Sequence, residues 1–309
     1  AMLVLTGPVL AGLTWVALPA FGHLPALGFP GFSLAPWREL AATPGIGTMI
    51  RLSLTAGLVT PAIALAITCL FLAGWSRGRV FAWVRRAISP LLSVPHAAAA
   101  FGLAFLIAPS GLVVRALSPW ATGWDRPPDL LIVQDEAGLT MMAGLIVKEV
   151  PFLLLMALAA LPQLAADRRV AVARGLGYRP VTAWFKTVFP ALYPLIRLPI
   201  FAVIAYAGAN VEIALILGPS TPPTLAIAIL HWLNDADLAM RLKASAAALL
   251  QLGLTFFSLL TWWLGERAVA ALGRLWIEGG RRAMADRALS TLALLAMGLI
   301  AAAAFGGLA

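Results

Sequence analysis

Lys148 and Glu149 stand side by side in a run that is otherwise almost wholly apolar from 139 to 161, and Arg197, Asn210 and Glu212 interrupt a second such run from 191 to 217. Charged groups surrounded by hydrocarbon cost several kcal/mol unless they are paired or hydrated, so they mark either a structural ion pair or a polar route through the molecule. Neighbouring positions on a helix point about 100° apart, so Lys148 and Glu149 do not share a face and at least one must find a partner or cavity elsewhere. His96, beside Pro95, lies in a third apolar run. It reads either as a hydrogen-bonded helix histidine or as a residue lining that route. Beyond these residues the sequence offers little chemistry. It has no glycine-rich phosphate loop ending in Lys and Ser or Thr, no nucleophile elbow and no zinc-type spacing. Its single cysteine, Cys69, excludes an intrachain disulfide and a cysteine metal site. We therefore expect no catalytic residues, no metal and no cofactor.

The elements that position these residues follow from composition. With 61% hydrophobic and 11% charged residues and a mean hydropathy of +0.93, the chain is too apolar for a water-soluble domain of 309 residues. Long apolar runs satisfy their backbone in a bilayer only as helices or closed barrels, and the in–out alternation of barrel strands is absent. The fold class expected is all-α integral membrane, a polytopic bundle of six to seven transmembrane helices. Seven segments are long enough to span: 2–22, 49–72, 89–108, 139–161, 191–217, 245–264 and 288–308. The first lacks the charged start and short apolar core of a cleaved signal and reads as a true span.

Basic residues collect at alternate connections. Arg77, Arg79, Arg85 and Arg86 follow span two; Arg168, Arg169, Arg174, Arg179 and Lys186 follow span four; Arg267, Arg274, Arg281, Arg282 and Arg287 precede span seven. By the positive-inside rule these connections, and with them the N-terminus, face the cytoplasm. The formal net charge of +9 is explained by this topology and does not point to nucleic acid. Span four then runs inward and span five outward. Helical side chains lean toward their N-termini, so Lys148 and Glu212 are expected to meet.

The cytoplasmic connection from 163 to 190 is too long for a bare turn. Small and apolar residues, Ala171, Ala173, Leu176 and Gly177, lie among Arg168, Arg174 and their neighbours, which predicts a short helix along the membrane surface. A turn at Tyr178-Arg179-Pro180 and a second amphipathic piece, 181–188, lead to Pro190, where span five begins. By charge alone this is a solvated connector.

The same residues resemble the signature loop of the membrane permeases of type I ATP-binding-cassette importers: Glu-Ala-Ala, three residues, Gly, nine residues, Ile, one residue, Leu-Pro. Ala171, Val172 and Ala173 occupy the first three places, Gly177 the glycine place, and Thr187, Phe189 and Pro190 the last three. Ala173, Gly177 and Pro190 agree in type; Ala171 stands where Glu is usual, which weakens any ion pair to an ATPase there. Leu92-Ser93-Val94-Pro95, Lys148-Glu149-Val150-Pro151-Phe152 and Pro162-Gln163-Leu164 add to the likeness, which covers most of residues 45 to 270. Within the family the chain looks most like the fused tandem permeases of the thiamine and ferric-iron type, the YnjC-like permeases included.

The resemblance implies a permease subunit of an ATP-driven importer in the bacterial inner membrane. Residues 1–270 would form a six-helix unit, and 271–309 a connector and the first helix of a second half, fused or separate. The 163–190 loop would be the coupling helix, with Arg168, Ala171, Ala173, Arg174, Leu176, Gly177 and Pro190 meeting a cytoplasmic ATPase dimer, Ala173 and Leu176 as the apolar contact. His96, Lys148, Glu149, Asn210 and Glu212 are the candidate translocation-path residues. A periplasmic solute-binding protein is the expected outer partner, and the solute is thiamine-like or ferric iron. An ion-coupled secondary transporter and a non-transporting membrane scaffold are the alternative readings.

Overall fold

The computed structural model describes residues 2–76, 78–283 and 285–306, and its regular elements are helices; among the described residues the only β pairing is an isolated bridge between Leu24 and Phe29. Among the described residues six helices are long and apolar enough to cross a membrane: Ile46–Trp75, His96–Leu117, Leu139–Leu164, Phe189–Gly208, Met240–Glu278 and Asp286–Ala304. The first expected span, 2–22, falls on the apolar helix α1 (Met2–Ala20), which is not among these six. Short helix α2 (Ala35–Ala41) leads into α3 (Ile46–Trp75), the central helix, against which much of the bundle packs.

Two expected spans are interrupted. The segment 89–108 divides between α4 (Arg79–Ser93) and α5 (His96–Ile107). Pro95 has no N–H to continue the ladder and pushes Val94 into an extended conformation, so the chain turns there. α4 is amphipathic: Val84, Ala87, Ile88 and Leu91 recur at helical spacing and are buried, whereas Arg79, Arg85 and Arg86 stay outside the core. After short α6 (Leu112–Leu117), an irregular segment leads to α7 (Leu139–Ala160), whose first turn is capped by Asp135; its carboxylate accepts from the Leu139 and Thr140 amides at 2.8 Å each. The segment 191–217 divides likewise, into α10 (Phe189–Gly208) and α11 (Glu212–Leu217).

Between α7 and α10 lie α8 (Ala166–Gly175) and α9 (Pro180–Thr187). Helix α12 (Leu225–Leu233) belongs to a second, smaller core with Ala20, Leu40 and Met49. α13 (Met240–Glu278) has 39 residues, about 58 Å at 1.5 Å per residue, roughly twice the hydrocarbon thickness. It therefore runs past the bilayer, and past the expected boundary at 270, before the connector 279–285. α14 (Asp286–Gly306) turns back and packs on α3, α5 and α7.

The main core unites α3, α7, α10 and α14 around Phe71, Leu145, Leu153, Ile196, Ile200 and Leu217, all fully buried. Close approach is bought with glycine at the α3–α10 crossing: a Cβ on Gly57 would stand 3.3 Å from the Gly208 Cα. A branched side chain at either position would force the two helices apart.

Candidate functional site

Two sets of residues emerge, one at the ends of the spans and one at the helix breaks within them. The first is the α8–α9 hairpin. α8 packs chiefly on α9, and the one residue it buries is Ala173. Ala173 is thus an internal contact, not the outward apolar surface expected of it. Val172 and Leu176, one turn apart, are 61% and 62% exposed and supply that surface instead. Ala171, Arg168, Arg169 and Arg174 are exposed around them. An open groove of about 980 Å³ runs along this helix, bounded by Leu164, Arg168, Arg169, Val172, Lys186 and Pro190. Arg169 closes one side of it by donating to the carbonyls of Leu164 (2.9 Å) and Thr187 (3.3 Å).

Gly177 reverses the chain between the two helices with φ +86°, a conformation that L side chains rarely adopt. A Cβ there would stand 3.5 Å from Arg282 Nη1. Gly177 therefore faces the connector, and Pro190, at the foot of the groove, opens α10 as the sequence foretold.

The second set lies at the breaks. Lys148 is 4% exposed, and its ammonium donates to the carbonyls of Leu91 (3.1 Å) and Val94 (2.6 Å). Leu91 is four residues before Pro95, so its carbonyl has lost the amide that a continuous helix would supply. Lys148 replaces that donor. The expected approach of Lys148 to Glu212 is overturned: the break at Pro95 draws the lysine toward α4. Glu212 instead lies 4.0 Å from His96 Nδ1, with side chains 61% and 37% exposed. The His96 ring packs at 5.2 Å from that of Tyr206, which is within electrostatic reach of both Glu212 and Glu149. Glu149 itself is 6% exposed.

Asn210 has a local task. Its Oδ1 accepts from the amides of Ile213 (2.8 Å) and Ala214 (3.4 Å), which starts α11 after α10 has ended. Gln251 of α13 supports the same break by donating to the Gly208 carbonyl (3.1 Å) while accepting from Ser53 (3.2 Å). The structure thus brings together His96, Tyr206 and Glu212, and assigns Lys148 and Asn210 to holding the broken helices. Arg197, which the sequence set beside them, pairs elsewhere: it meets Glu266 at 2.7 Å, and Tyr193 donates to the same carboxylate at 2.6 Å.

No family model matches the chain. It is 29% identical over 221 residues to the inner membrane ABC transporter permease protein YnjC of Escherichia coli (strain K12), an alignment covering 72% of this chain and 41% of that relative. The expected likeness to an ABC transporter permease is borne out. This permease-like chain spans less than half the length of the relative it matches. Its six membrane-length helices and all-helical bundle agree with a multi-pass membrane permease.

Three polar residues of the permease-like bundle escaped the sequence reading: Gln251, Glu266 and Asp286. Gln251 was visible as a lone amide in an apolar run. Glu266 gave no signal because it follows Gly265 just where the span was expected to have ended. Asp286 looked like one acid in a basic connector, and nothing local shows that it reaches α9.

Proposed function

We propose that the chain is a non-catalytic permease subunit of a type I ATP-driven importer in the bacterial inner membrane, and that α8 is its coupling helix. The observation that carries this reading is the hairpin: a helix beyond the ends of the spans, exposing Val172 and Leu176 inside a ring of arginines and beside an open groove. Exposed apolar pairs rimmed by charge are the anatomy of a docking surface. The partner is a cytoplasmic ATPase dimer, which supplies the hydrolysis. The basic connections, the N-terminus and the 163–190 loop face the cytoplasm.

Inside the membrane, His96, Tyr206 and Glu212 face outward from the bundle, where lipid would leave Glu212 without a polar neighbour on its open side. That face is read as the wall of the translocation path, closed by a second permease half. Residues 1–270 form the first unit, and 271–309 carry the connector and the opening helix of the second. The solute class is thiamine-like or ferric iron, presented by a periplasmic binding protein.

The test is to purify the chain with its ATPase from membranes carrying wild type or Leu176→Asp. Placing a carboxylate in the apolar contact is expected to lower recovered ATPase and solute-stimulated hydrolysis at least about tenfold, with the chain still accumulating. Unchanged recovery and stimulation would reduce the hairpin to a charged connector.

A further inference from the structure

Helix α9 begins without a cap of its own. Arg179 precedes it with no side-chain hydrogen bond, and Pro180 at its first position has no N–H, so the open donors of the first turn are the amides of Val181 and Thr182. Both are taken by a residue more than a hundred positions away. Asp286 Oδ2 accepts from Val181 N (2.8 Å) and Thr182 N (3.2 Å), and Oδ1 accepts from the Thr182 hydroxyl (3.0 Å). The carboxylate is 6% exposed and sits at the positive end of the α9 dipole, where a charge-assisted cap is strongest. The contact is extended on both sides. The Arg179 amide donates to the Arg282 carbonyl at 3.0 Å, and Lys186, at the other end of α9, donates to Gly279 O at 2.5 Å where α13 ends.

We propose that Asp286, together with Gly279 and Arg282 of the connector, forms a latch that sets the position of the α8–α9 hairpin, with Asp286 as its positioning residue. The proposal rests on the coupling role given to α8. α8 borders an open groove and packs chiefly on α9, so its place is inherited from α9. α9 is in turn fixed at its first turn by Asp286. Because Asp286 opens α14, which packs on α3, α5 and α7, its carboxylate ties the first turn of the hairpin's second helix to the spanning bundle, beside the packing of α9 on α3 and α10. The latch supplies a mechanical route from the hairpin to the helices that is separate from the direct α9–α10 connection.

The experiment uses the full chain in open membrane fragments and limited trypsin, which cuts after the exposed Arg174 and, once α9 opens, after the buried Lys186. Asp286→Ala is expected to raise cleavage at these two sites about tenfold relative to wild type, as local opening of α9 loses its cap. Asp286→Asn, which keeps an accepting oxygen, and Thr182→Val, which removes the hydroxyl bond alone, should fall between. Trp75→Phe is the control: it cuts a different tether of α14, the 2.8 Å bond from Trp75 Nε1 to Ser290 O, without touching α9. It should leave hairpin cleavage unchanged. Equal cleavage in Asp286→Ala and wild type, or the same rise in Trp75→Phe as in Asp286→Ala, would overturn the latch. A second arm measures solute moved per ATP hydrolysed, expected to fall at least threefold in Asp286→Ala; an unaltered ratio also overturns it. The proteolysis arm does not depend on an ATPase, so failure of the coupling reading and failure of the latch give different results.

Discussion

The helix breaks inside the membrane and the hairpin outside it handle charge in opposite ways. At the breaks, Lys148 is buried and its ammonium is spent on two backbone carbonyls. At the hairpin, Arg168 and Arg174 lie in the open, and only Arg169 turns back to backbone carbonyls. A charge in hydrocarbon must be satisfied by the fold itself, and so becomes part of what holds the fold; a charge in water is free to be recognised by something else. Substitutions in the first region should therefore reveal stability, and those in the second should reveal function.

The largest effect is expected at Lys148. Lys148→Met keeps most of the side-chain volume but removes the donor to Leu91 and Val94, leaving two buried carbonyls open at about 1–3 kcal/mol each. A fall in the detergent melting temperature of roughly 6 °C or more should follow, with lower accumulation. A variant as stable as wild type would show that water supplies these carbonyls and that Lys148 is free for another role.

Glu266 comes next. It collects Arg197, bonded at 3.2 Å through Nε and paired at 2.7 Å through Nη2, and the Tyr193 hydroxyl, to which Trp262 also donates at 2.8 Å. Glu266→Gln keeps an acceptor for Tyr193 but loses the charge. Because Arg197 is more than a third exposed, the cost is set at about 1 kcal/mol, read as a small drop in melting temperature with uptake retained. Uptake lost at full stability would move this network into the transport machinery.

Such pairings show where the sequence was legible. Apolar length fixed the spans, and the thirteen-position register from Gly177 to Pro190 located the hairpin and its turn, because both are local properties of the chain. The breaks at Pro95 and at 209–211 were hidden, since Pro95 and Asn210 each lie within runs long enough to span unbroken. Periodicity records an apolar face but not the point at which a side chain takes over a backbone bond. Lys148 was correctly marked as needing a partner. Its partner was misjudged because carbonyls released by a broken helix compete with a carboxylate, and these are nearer. Ala173 was placed on the wrong side of α8 because a small residue suits a close contact on either face, and only the position of α9 decides which.

Glu212 sharpens the contrast from within the membrane. Its side chain is mostly exposed, and it is paired with His96 only at 4.0 Å, so Glu212→Gln should change stability by no more than about 0.5 kcal/mol. Uptake is expected to fall about tenfold or more, since the carboxylate is the open charge on the face assigned to the path. Matching losses of protein level and uptake would instead place Glu212 with Lys148 among residues that hold the fold.

The smallest effect is expected at Arg168. It is exposed on α8 at the edge of the groove, opposite the buried Ala173 contact in its role if not in its position. An exposed guanidinium contributes little to a docked interface through any single pair, typically under about 1 kcal/mol, and its field is screened within roughly 8 Å at physiological salt. Arg168→Ala should leave the melting temperature unchanged and weaken ATPase recovery no more than about fivefold, with the loss growing as salt is lowered. The decisive measurement is recovery at two ionic strengths beside Leu176→Asp. A salt-dependent, mild loss for Arg168→Ala with a salt-independent, severe one for Leu176→Asp fits an apolar contact inside a charged rim. If Arg168→Ala is instead the more damaging of the two, the arginine is a central contact, and exposure at the hairpin is a poor guide to what the partner buries.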